Sequence, residues 1–535
     1  MVRVARPVSA SSEGSIPPED LLAALSQPSF YPHSPESVEL RETHISWVFL
    51  AGSHVYKVKK PIRLPFLDYS TLELRRSLCL EEVRLNRRLA PAVYLGVRSV
   101  VRRDGRLELG ELDDRHAVEY AVEMRRFPEE RTLARLLDRG EATPAELEAV
   151  GVRLGRFHRS VERPDLLPAD ALRAFGQIVD ENFQTLLDVS ADAIGRDDVV
   201  AAQRFSATFL AATRDRLLDR VQGGHWREGH GDLRAEHVIL DEGIDVVDCV
   251  EFDPALRRID ASFDLAFLVM EVEALGTREL ADALVAGYRA AGGDPGDRAL
   301  LSFYAAQRAW IRSKVTLVRA GQLEAGERRQ SATAEGARLF SLGRRMAWRA
   351  RLPLALVVCG APASGKSHLA RALSETSGLP HLNSDVVRKR LAGLDATERA
   401  GREHYAESFT ARTYRELARL AAEELRRTGG AIVDATYRRA AARRALVDAL
   451  ARSRARVVFV ECRAPLALLA ERARRRAASA ASVSDADAEV AERLRREFEP
   501  LDEVEPGSHL VIRTDLPTTT SIVELEARLD VSLFA

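Results

Sequence analysis

Residues 360–367 read Gly360-Ala361-Pro362-Ala363-Ser364-Gly365-Lys366-Ser367, and this stretch decides the fold of the C-terminal part of the 535-residue chain. It follows the apolar run Leu354–Cys359 and precedes the helical pattern His368–Ser374, which is the strand, loop and helix order of a phosphate-binding P-loop. Glycines and small residues let backbone N–H groups face nucleotide phosphates, Lys366 can reach the outer phosphates, and the Ser367 hydroxyl can bind magnesium. The motif predicts a site for ATP and Mg²⁺.

An acidic segment follows the predicted P-loop helix. Leu382-Asn383-Ser384-Asp385 is predicted to end a strand and to start a helix, with Arg388 one helical turn after Asp385. A carboxylate at the end of a strand beside the γ-phosphate suits proton removal from an acceptor hydroxyl, and Arg388 suits a clamp on the acceptor. The alternative is that Ser384 or Asp385 only caps the helix.

Another acid ends a strand later in the chain. Gly430–Thr436 has the apolar pattern of a buried strand, and Asp434 lies near its end. This position predicts a Walker-B-like role for Asp434 in the magnesium shell.

An arginine-rich helix end lies near the C-terminus of the P-loop half. Residues 471–476 include Arg472 and Arg476 and lead into a loop of small residues. This pattern predicts a lid that closes over the γ-phosphate and supplies arginine to the transition state. The alternative is a solvated helix face.

Residues 354–535 resemble the P-loop kinase group that includes gluconate-kinase-like, zeta-toxin-like and polynucleotide-kinase-like proteins. The resemblance rests on the P-loop, Asp385 with Arg388, Asp434, and the arginines at 472 and 476 before Ser484-Asp485. It implies a parallel sheet flanked by helices and the transfer of phosphate from ATP to a hydroxyl group.

The first half begins with strand patterns that contain lysines. His44–Ala51 and His54–Lys59 alternate around Gly52-Ser53, which predicts a β-hairpin. The segment 72–89 then has the pattern of a helix, and the pattern between about 131 and 345 is almost entirely helical. Further strands are predicted at 93–101, 106–112, 117–126 and, as a short β-like stretch, 238–250.

Two acidic motifs interrupt the helical segment. The first is His230-Gly231-Asp232, followed five residues later by His237, and the second is Val246–Asp253. With the lysine strand before them, they give residues 20–345 a resemblance to the aminoglycoside phosphotransferase branch of kinase-like enzymes. The resemblance implies a protein-kinase-like bilobal fold in which a catalytic Asp accepts the substrate proton and a later acid holds magnesium.

Residue roles in the first half are what this resemblance implies. Asp232 is the catalytic base and Asp248 the metal-binding acid, with Glu251 and Asp253 as rivals for the metal. Lys57 is the first choice for the phosphate lysine and Lys59 the alternative; the partner of the lysine is Glu81 or Glu82.

His237 departs from the family pattern. The family has Asn at this position, and imidazole is a poorer magnesium ligand than an amide oxygen. His237 is therefore expected to weaken the metal site or to act through a water molecule.

Composition sets the remaining expectations. The formal net charge is −1 and aromatic residues make up 6%, so a nucleic-acid or membrane partner is not expected. Cys79, Cys249, Cys359 and Cys462 show no CxxC spacing, which indicates reduced cysteines and a cytoplasmic protein. Residues 1–18 are predicted to be a mobile tail.

The expected chain is α/β and α+β, with a kinase-like domain at 19–345 and a P-loop kinase domain at 346–535. The expected activity is ATP-dependent phosphotransfer to a small metabolite or an antibiotic-like amine, with small-molecule partners and an undetermined oligomeric state. Two alternatives stay open: a first half that binds nucleotide or metabolite as a regulatory module without turnover, and a second half that phosphorylates polynucleotide ends.

Overall fold

The computed structural model describes residues 16–64, 67–190, 193–395, 398, 401–477 and 497–534. The chain forms two compact units, one of residues 1–175 and 217–296 and the other of residues 176–216 and 297–535. Residues 1–15 of the predicted tail lie outside the described residues, whereas Ile16 is buried and a helix begins at Pro18. No helix in the described part of the chain is long and apolar enough to cross a lipid bilayer.

Strands are numbered in chain order as β1 Val38–Glu42, β2 Ser46–Ala51, β3 His54–Lys59, β4 Arg63–Leu64, β5 Leu67–Asp68, β6 Tyr94–Arg103, β7 Arg106–Gly110, β8 Ala117–Arg125, β9 Trp226–Glu228, β10 Val238–Leu240, β11 Ile244–Val246, β12 Arg258–Asp260, β13 Leu354–Cys359, β14 His381–Asn383, β15 Gly430–Asp434, β16 Arg456–Arg463 and β17 His509–Arg513.

Helices are numbered as α1 Pro18–Leu25, α2 Leu72–Asn86, α3 Leu133–Asp138, α4 Pro144–Ser160, α5 Pro168–Val189, α6 Arg196–Ala212, α7 Arg214–Gln222, α8 Pro254–Arg257, α9 Ala261–Leu275, α10 Arg278–Ala290, α11 Arg298–Gln322, α12 Glu327–Ala350, α13 Lys366–Ser377, α14 Ser384–Ala392, α15 Glu407–Thr428, α16 Ala440–Leu450, α17 Leu466–Ala477 and α18 Thr518–Phe534.

An antiparallel sheet of strand order β1-β2-β3-β8-β6-β7 forms the core of the first unit. The predicted hairpin is confirmed, because β2 and β3 pair from Ser46 opposite Lys59 to Ala51 opposite His54. Side chains alternate along a strand, so Tyr56 of β3 packs in the cluster that contains α1, whereas Val55 packs in the cluster that contains α2. Lys57 and Lys59 share the face of Val55.

Helices and short strands follow this sheet. The strands β9 and β12 pair with each other, as do β10 and β11, and both pairs are antiparallel. The predicted β-like stretch at 238–250 is confirmed in part: β10 and β11 occupy residues 238–240 and 244–246, and residues 247–250 are irregular. The acidic motifs therefore lie on loops between short strands.

The second unit contains a parallel sheet of five strands in the order β14-β15-β13-β16-β17. The central strand β13 is buried along its whole length, which explains its continuous apolar sequence. Leu369 of α13 and Leu525 of α18 belong to the cluster on one face, and Leu417 of α15 and Leu446 of α16 to the cluster on the other. The carboxyl ends of β13, β14 and β15 meet at one edge of the sheet, where open α/β sheets bind ligands.

The predicted fold class is confirmed. The first unit has the antiparallel sheet followed by helices of a kinase-like fold, and the second has the parallel sheet flanked by helices of a P-loop fold. The helix α12 crosses the predicted boundary between residues 345 and 346, and its Trp348 packs in the same core as Leu354 of β13. Helices from the segments 176–216 and 297–345 belong to the same compact unit as the parallel sheet. The domain bounds 19–345 and 346–535 stay predictions.

Candidate nucleotide and acceptor sites

The P-loop joins the central strand β13 to α13, and the helix begins at Lys366. Gly360 has a φ of 136°, and a Cβ atom there would lie 2.8 Å from the backbone oxygen of Cys462. A side chain at this position would collide with the neighbouring strand, so the loop requires glycine. Thr514 Oγ1 donates a hydrogen bond to the backbone oxygen of Ser364, which ties the loop to the segment after β17.

Asp434 ends β15 beside the P-loop and is completely buried. Its Oδ2 accepts hydrogen bonds from Asn383 Nδ2 at 2.6 Å and from His381 Nε2 at 3.2 Å. Burial raises the pKa of Asp434, but the His381 hydrogen bond, the charge of Lys366 and the Ser367 hydroxyl outweigh burial and hold the pKa below its ordinary value. Asp434 is therefore an ionised carboxylate that is buried at the carboxyl edge of the sheet.

The other oxygen of Asp434 suits a hard cation. Asp434 Oδ1 is buried and has no hydrogen-bond partner among the described residues. No three His, Cys, Asp or Glu side chains in the described part of the chain come together as a metal site of their own. Magnesium bound with a nucleotide needs few protein ligands, because water and phosphate oxygens fill most of its positions. The Ser367 hydroxyl and Asp434 Oδ1 fit the predicted Mg²⁺.

Asp385 and Arg388 lie in the first turns of α14, at the same edge of the sheet. Asn383 Oδ1 caps this helix by accepting hydrogen bonds from the N–H groups of Asp385 at 2.8 Å and Val386 at 3.1 Å. The alternative prediction, that Ser384 or Asp385 caps the helix, is therefore wrong. The cap leaves the carboxylate of Asp385 to pair with Arg388 Nη1 at 2.5 Å. The Arg388 guanidinium is buried and lies 4.4 Å from the ring centre of Tyr405. The structure thus brings together the predicted acid and arginine.

A cavity of about 350 Å³ opens beside the start of α13. Arg472 lines this cavity, and its Nη2 donates a hydrogen bond to the backbone oxygen of Thr514 at 2.7 Å. Arg476 also lies in α17, but its side chain, like residues 478–496, is outside the described part of the structure. The lining comprises Ala363, Gly365, Lys366, Ser367, His368, Leu369, Arg472, Arg475, Thr514, Leu516, Thr518 and Ser521.

Sequence reasoning missed the segment 514–521, which supplies one wall of this cavity. Its residues run from the end of β17 into the first turn of α18, and no sequence motif marks them. Asn383 and His381, which hold Asp434, were missed as well, because contacts between strands are not visible in the local pattern.

In the first unit Lys57 of β3 is the centre of an ionic cluster. Its Nζ lies 2.7 Å from Asp248 Oδ1 and 2.9 Å from Glu82 Oε1. The charge of Lys57 lowers the pKa of Asp248 below its ordinary range, against the opposing effect of burial. The predicted phosphate lysine and the predicted metal acid therefore meet directly.

The choice between the adjacent acids of α2 is settled by their directions. Glu82 contacts the lysines, whereas Glu81 accepts hydrogen bonds from Arg84 Nε at 2.7 Å and Arg257 Nη2 at 2.8 Å. Successive helix residues lie about 100° apart, so only one of two neighbours can face β3. Of the two candidates, Glu82 is the partner of Lys57, and the role considered for Glu81 is corrected.

Lys59 makes a second, fully buried set of contacts. Its Nζ lies 2.6 Å from Glu82 Oε2 and also contacts Glu251, whose Oε1 accepts the Tyr69 hydroxyl at 2.6 Å. Glu251 is buried and held by two partners, so it does not fit a metal site. Asp253 caps α8 through the N–H of Ala255. The metal roles considered for Glu251 and Asp253 are therefore replaced by structural ones.

Asp232 lies on a loop whose neighbouring histidine is neutral. His230 Nε2 contacts the backbone oxygen of Val247 at 3.0 Å, and its Nδ1 contacts the N–H of Asp232 at 3.3 Å. This arrangement needs a proton on Nε2 and a lone pair on Nδ1. Burial lowers the pKa of His230 to about 4, which agrees with the neutral ring. The loop presents a partly exposed Asp232 carboxylate.

His237 lies between the two acids of this site. Its Nδ1 contacts the backbone oxygen of Asp232 at 2.9 Å, and its Nε2 lies 3.7 Å from Asp248 Oδ2. The side chain is thus placed where the resemblance puts a metal-coordinating amide, and it faces the half-exposed carboxylate of Asp248.

Solved kinase structures are similar to parts of the chain. A choline/ethanolamine kinase family protein from Mesorhizobium loti is 16% identical and covers 61% of this chain and 98% of its own, with a TM-score of 0.37. A gluconokinase from Sinorhizobium meliloti 1021 is 17% identical and covers 34% of this chain and 93% of its own, with a TM-score of 0.25.

Sequence comparisons identify a family model and relatives of the chain. A family model described as an AAA domain matches residues 356–501. The chain is 32% identical over 467 residues to uncharacterized protein Rv2004c of Mycobacterium tuberculosis (strain ATCC 25618 / H37Rv), a match that covers 85% of this chain and 89% of that protein. Uncharacterized protein Mb2027c of Mycobacterium bovis (strain ATCC BAA-935 / AF2122/97) matches with the same identity and coverage. With this identity over most of both lengths, the chain belongs to the family of these mycobacterial proteins.

Proposed function

We propose that the protein is a bifunctional ATP-dependent phosphotransferase, a fusion of an aminoglycoside phosphotransferase-like domain with a P-loop kinase domain. One observation carries the proposal: three features lie at one edge of the parallel sheet. They are the P-loop, the Asp385–Arg388 pair, and the buried, ionised Asp434, whose Oδ1 has no hydrogen-bond partner among the described residues. This edge combines donors for phosphate, a ligand for a cation and a carboxylate for an acceptor. Phosphoryl transfer needs these three together.

In the P-loop half each side chain has one task. Lys366 and the loop amides bind the phosphates, and Ser367 with Asp434 would hold Mg²⁺, which neutralises charge on the transferred group. The Arg388 ion pair orients Asp385, which accepts the proton of the acceptor hydroxyl as the new P–O bond forms and the bond between the γ-phosphorus and the leaving ADP oxygen breaks. Arg472, tied to Thr514 beside the loop, stabilises negative charge in the transition state.

The cavity beside α13 is assigned to the nucleoside part of ATP. Lys366 and Ser367 line it together with Leu516 and Thr518, so the cavity adjoins the proposed phosphate site. Its lining mixes apolar carbon with hydroxyl groups, which suits a planar base and a ribose.

In the kinase-like half the first unit supplies a second nucleotide site. Lys57, oriented by Glu82, pairs with phosphate, and Asp248 would hold Mg²⁺. Asp232 receives the proton of the second acceptor. Hydroxylated small molecules are the proposed acceptors of both halves.

A second function is carried by one observation on the first unit. His237 lies where the aminoglycoside phosphotransferase family has Asn, and its ring faces the carboxylate of Asp248. A metal site weakened in this way would let the first unit bind nucleotide without turning it over. The second candidate function is therefore regulation of the P-loop half by a non-catalytic first unit.

The test measures ATP turnover by the full chain against a panel of sugars, amino alcohols and aminoglycosides, with an oligonucleotide beside them. These comparisons are made in a Lys57→Ala background, in which the phosphate lysine of the first unit is absent. There Lys366→Ala should abolish most of the remaining turnover, whereas Arg371→Ala, which removes a charge from an exposed position of the same helix, should leave it within twofold. Unchanged turnover by the folded Lys57→Ala/Lys366→Ala double variant would contradict the assignment of the P-loop as catalyst. Phosphorylation of the oligonucleotide alone would favour a polynucleotide-end kinase.

A further inference from the structure

The backbone at Asp248 is in an unusual conformation. Asp248 has a φ of 65°, in the left-handed region that residues other than glycine rarely occupy. Such a conformation persists only where surrounding contacts hold it, and it is concentrated at functional sites. The contacts that hold Asp248 are therefore part of how the site works.

Two buried polar side chains bind the backbone at this point. The N–H group of Asp248 donates a hydrogen bond to the Tyr94 hydroxyl at 3.1 Å. The N–H group of Cys249 donates one to Asn86 Oδ1 at 2.9 Å. Tyr94 and Asn86 are each 1% exposed, so water does not compete for these bonds.

These residues come from α2 and from the start of β6. Asn86 is the last residue of α2, one helical turn after Glu82, and its Nδ2 donates to the backbone oxygen of Glu82 at 2.9 Å. Tyr94 is the first residue of β6. The helix that orients Lys57 through Glu82 thus also binds the backbone beside Asp248.

The rest of the segment is fixed from other directions. The N–H group of Val250 donates to the backbone oxygen of His230 at 3.1 Å. Arg257 Nη1 donates to the backbone oxygens of Val250 and Glu251, each at 3.3 Å. On the other side of the turn, the Val247 N–H donates to the backbone oxygen of His237 at 3.0 Å, and the Val247 oxygen contacts His230 Nε2. Between these flanks, the N–H groups of the turn itself are bound by Tyr94 and Asn86.

We propose that Tyr94 and Asn86 are positioning residues that hold Asp248 in its left-handed conformation, so that its carboxylate faces Lys57 and the magnesium of a bound nucleotide. The inference rests on the proposed function of the first unit. If the Asp248 N–H lost its partner, the residue would return to the ordinary φ range and its side chain would leave the Lys57 cluster.

The experiment is hydrogen–deuterium exchange with mass spectrometry on the full chain, because peptides report on each nucleotide site separately. Tyr94→Phe removes one hydroxyl and keeps the ring. Tyr31→Phe is the matched control, since its buried hydroxyl donates to the backbone oxygen of Leu25 in the same lobe. Asn86→Ala is the second variant.

Without ligand, amides 248 and 249 should exchange about tenfold faster in Tyr94→Phe than in the wild type, and Tyr31→Phe should leave them unchanged. A titration with a non-hydrolysable ATP analogue, followed in peptides around residues 57 and 248, should give about tenfold weaker binding in Tyr94→Phe when Mg²⁺ is present. With EDTA in place of Mg²⁺ the affinity should stay within twofold, because Lys57 keeps its partner Glu82.

Unchanged exchange at 248–249 in both variants would overturn the inference. Equal loss of affinity with and without Mg²⁺ would overturn the positioning role, because it would show general damage to the site. Absence of nucleotide protection in the wild type would overturn the proposed function of the first unit and the magnesium role with it; faster exchange in the variant would then still show that Tyr94 holds the turn.

Discussion

Gly365→Ala is the most informative substitution in the P-loop. Gly365 immediately precedes α13 and has a φ of 87°. A Cβ atom there would lie 3.1 Å from Thr514 Cβ and 3.2 Å from Arg472 Nη1, which is tighter than ordinary van der Waals contact. Gly378 ends the same helix with a φ of 72°, but a Cβ atom there would approach only Arg345 Cδ, at 3.6 Å. Gly378→Ala is therefore a matched control.

The stability cost should be similar at both ends of the helix. A left-handed conformation costs a residue with a Cβ atom about 1–2 kcal/mol, and the loss of glycine's freedom in the unfolded chain returns about 0.4–1 kcal/mol. Both variants should therefore lose about 1 kcal/mol of unfolding free energy. Gly365→Ala must in addition move the loop or Thr514 by a few tenths of an ångström. Because a 1 Å misplacement at a reacting centre costs about 100-fold, turnover by this variant should fall about tenfold.

Calorimetric ATP affinity, ATP turnover and urea unfolding are the three measurements. We expect comparable shifts of the urea midpoint in both variants, a drop in affinity and turnover for Gly365→Ala, and ATP constants within twofold of wild type for Gly378→Ala. The reasoning is refuted if both variants lose the same ATP affinity, or if Gly365→Ala is destabilised and binds ATP normally.

In a Lys57→Ala background, which isolates the P-loop site, Asp385→Asn should lower turnover by about 10²–10⁴-fold while ATP affinity changes little, as expected for a positioned base. A matching loss of calorimetric ATP affinity would move Asp385 into the nucleotide site. His237→Asn should strengthen magnesium-dependent nucleotide binding in the first unit, because an amide oxygen suits Mg²⁺ better than imidazole, and weaker binding in exchange titrations would identify the histidine as an adapted ligand. The pKa of His230, lowered by burial to about 4, lies below its ordinary value near 6.5. As the pH falls below 6.5 the unfolded chain therefore binds a proton that the folded chain does not, and the free energy of unfolding should fall by about 1.6 kcal/mol between pH 6.5 and 5. His230→Gln should flatten this dependence in urea titrations, and an unchanged slope would assign it to other groups.

Much of the fold could be predicted from local sequence patterns. The alternation of apolar and polar residues predicted the β2–β3 hairpin, with differences only at the first residues of β2. Continuous apolar runs predicted β13 and β15. These patterns work because the period of a strand and the burial of a central parallel strand are both written along a single segment.

The pairing of side chains could not be predicted in the same way. Glu81 and Glu82 are neighbours in the sequence, and only the rotation of α2 against β3 decides that Glu82 reaches Lys57. Glu251 looked available for metal until the structure placed Lys59 and Tyr69 against it. Contacts between distant segments depend on packing that no local pattern records.

Tyr94 and Asn86 gave no sequence signal. Asn86 is a buried polar residue at the end of a helix, and Tyr94 begins a strand, so each resembles an ordinary core position. The positioning role of Tyr94 and Asn86 is inferred from the left-handed φ of Asp248, which only the folded backbone shows.

The central claim is that one chain contains two separate sites for ATP, and calorimetric stoichiometry tests it most directly. With a non-hydrolysable ATP analogue and Mg²⁺, the account predicts two molecules bound per wild-type chain, one for Lys366→Ala, one for Lys57→Ala and none for the double variant. A wild-type stoichiometry of one that Lys57→Ala leaves unchanged would contradict the account.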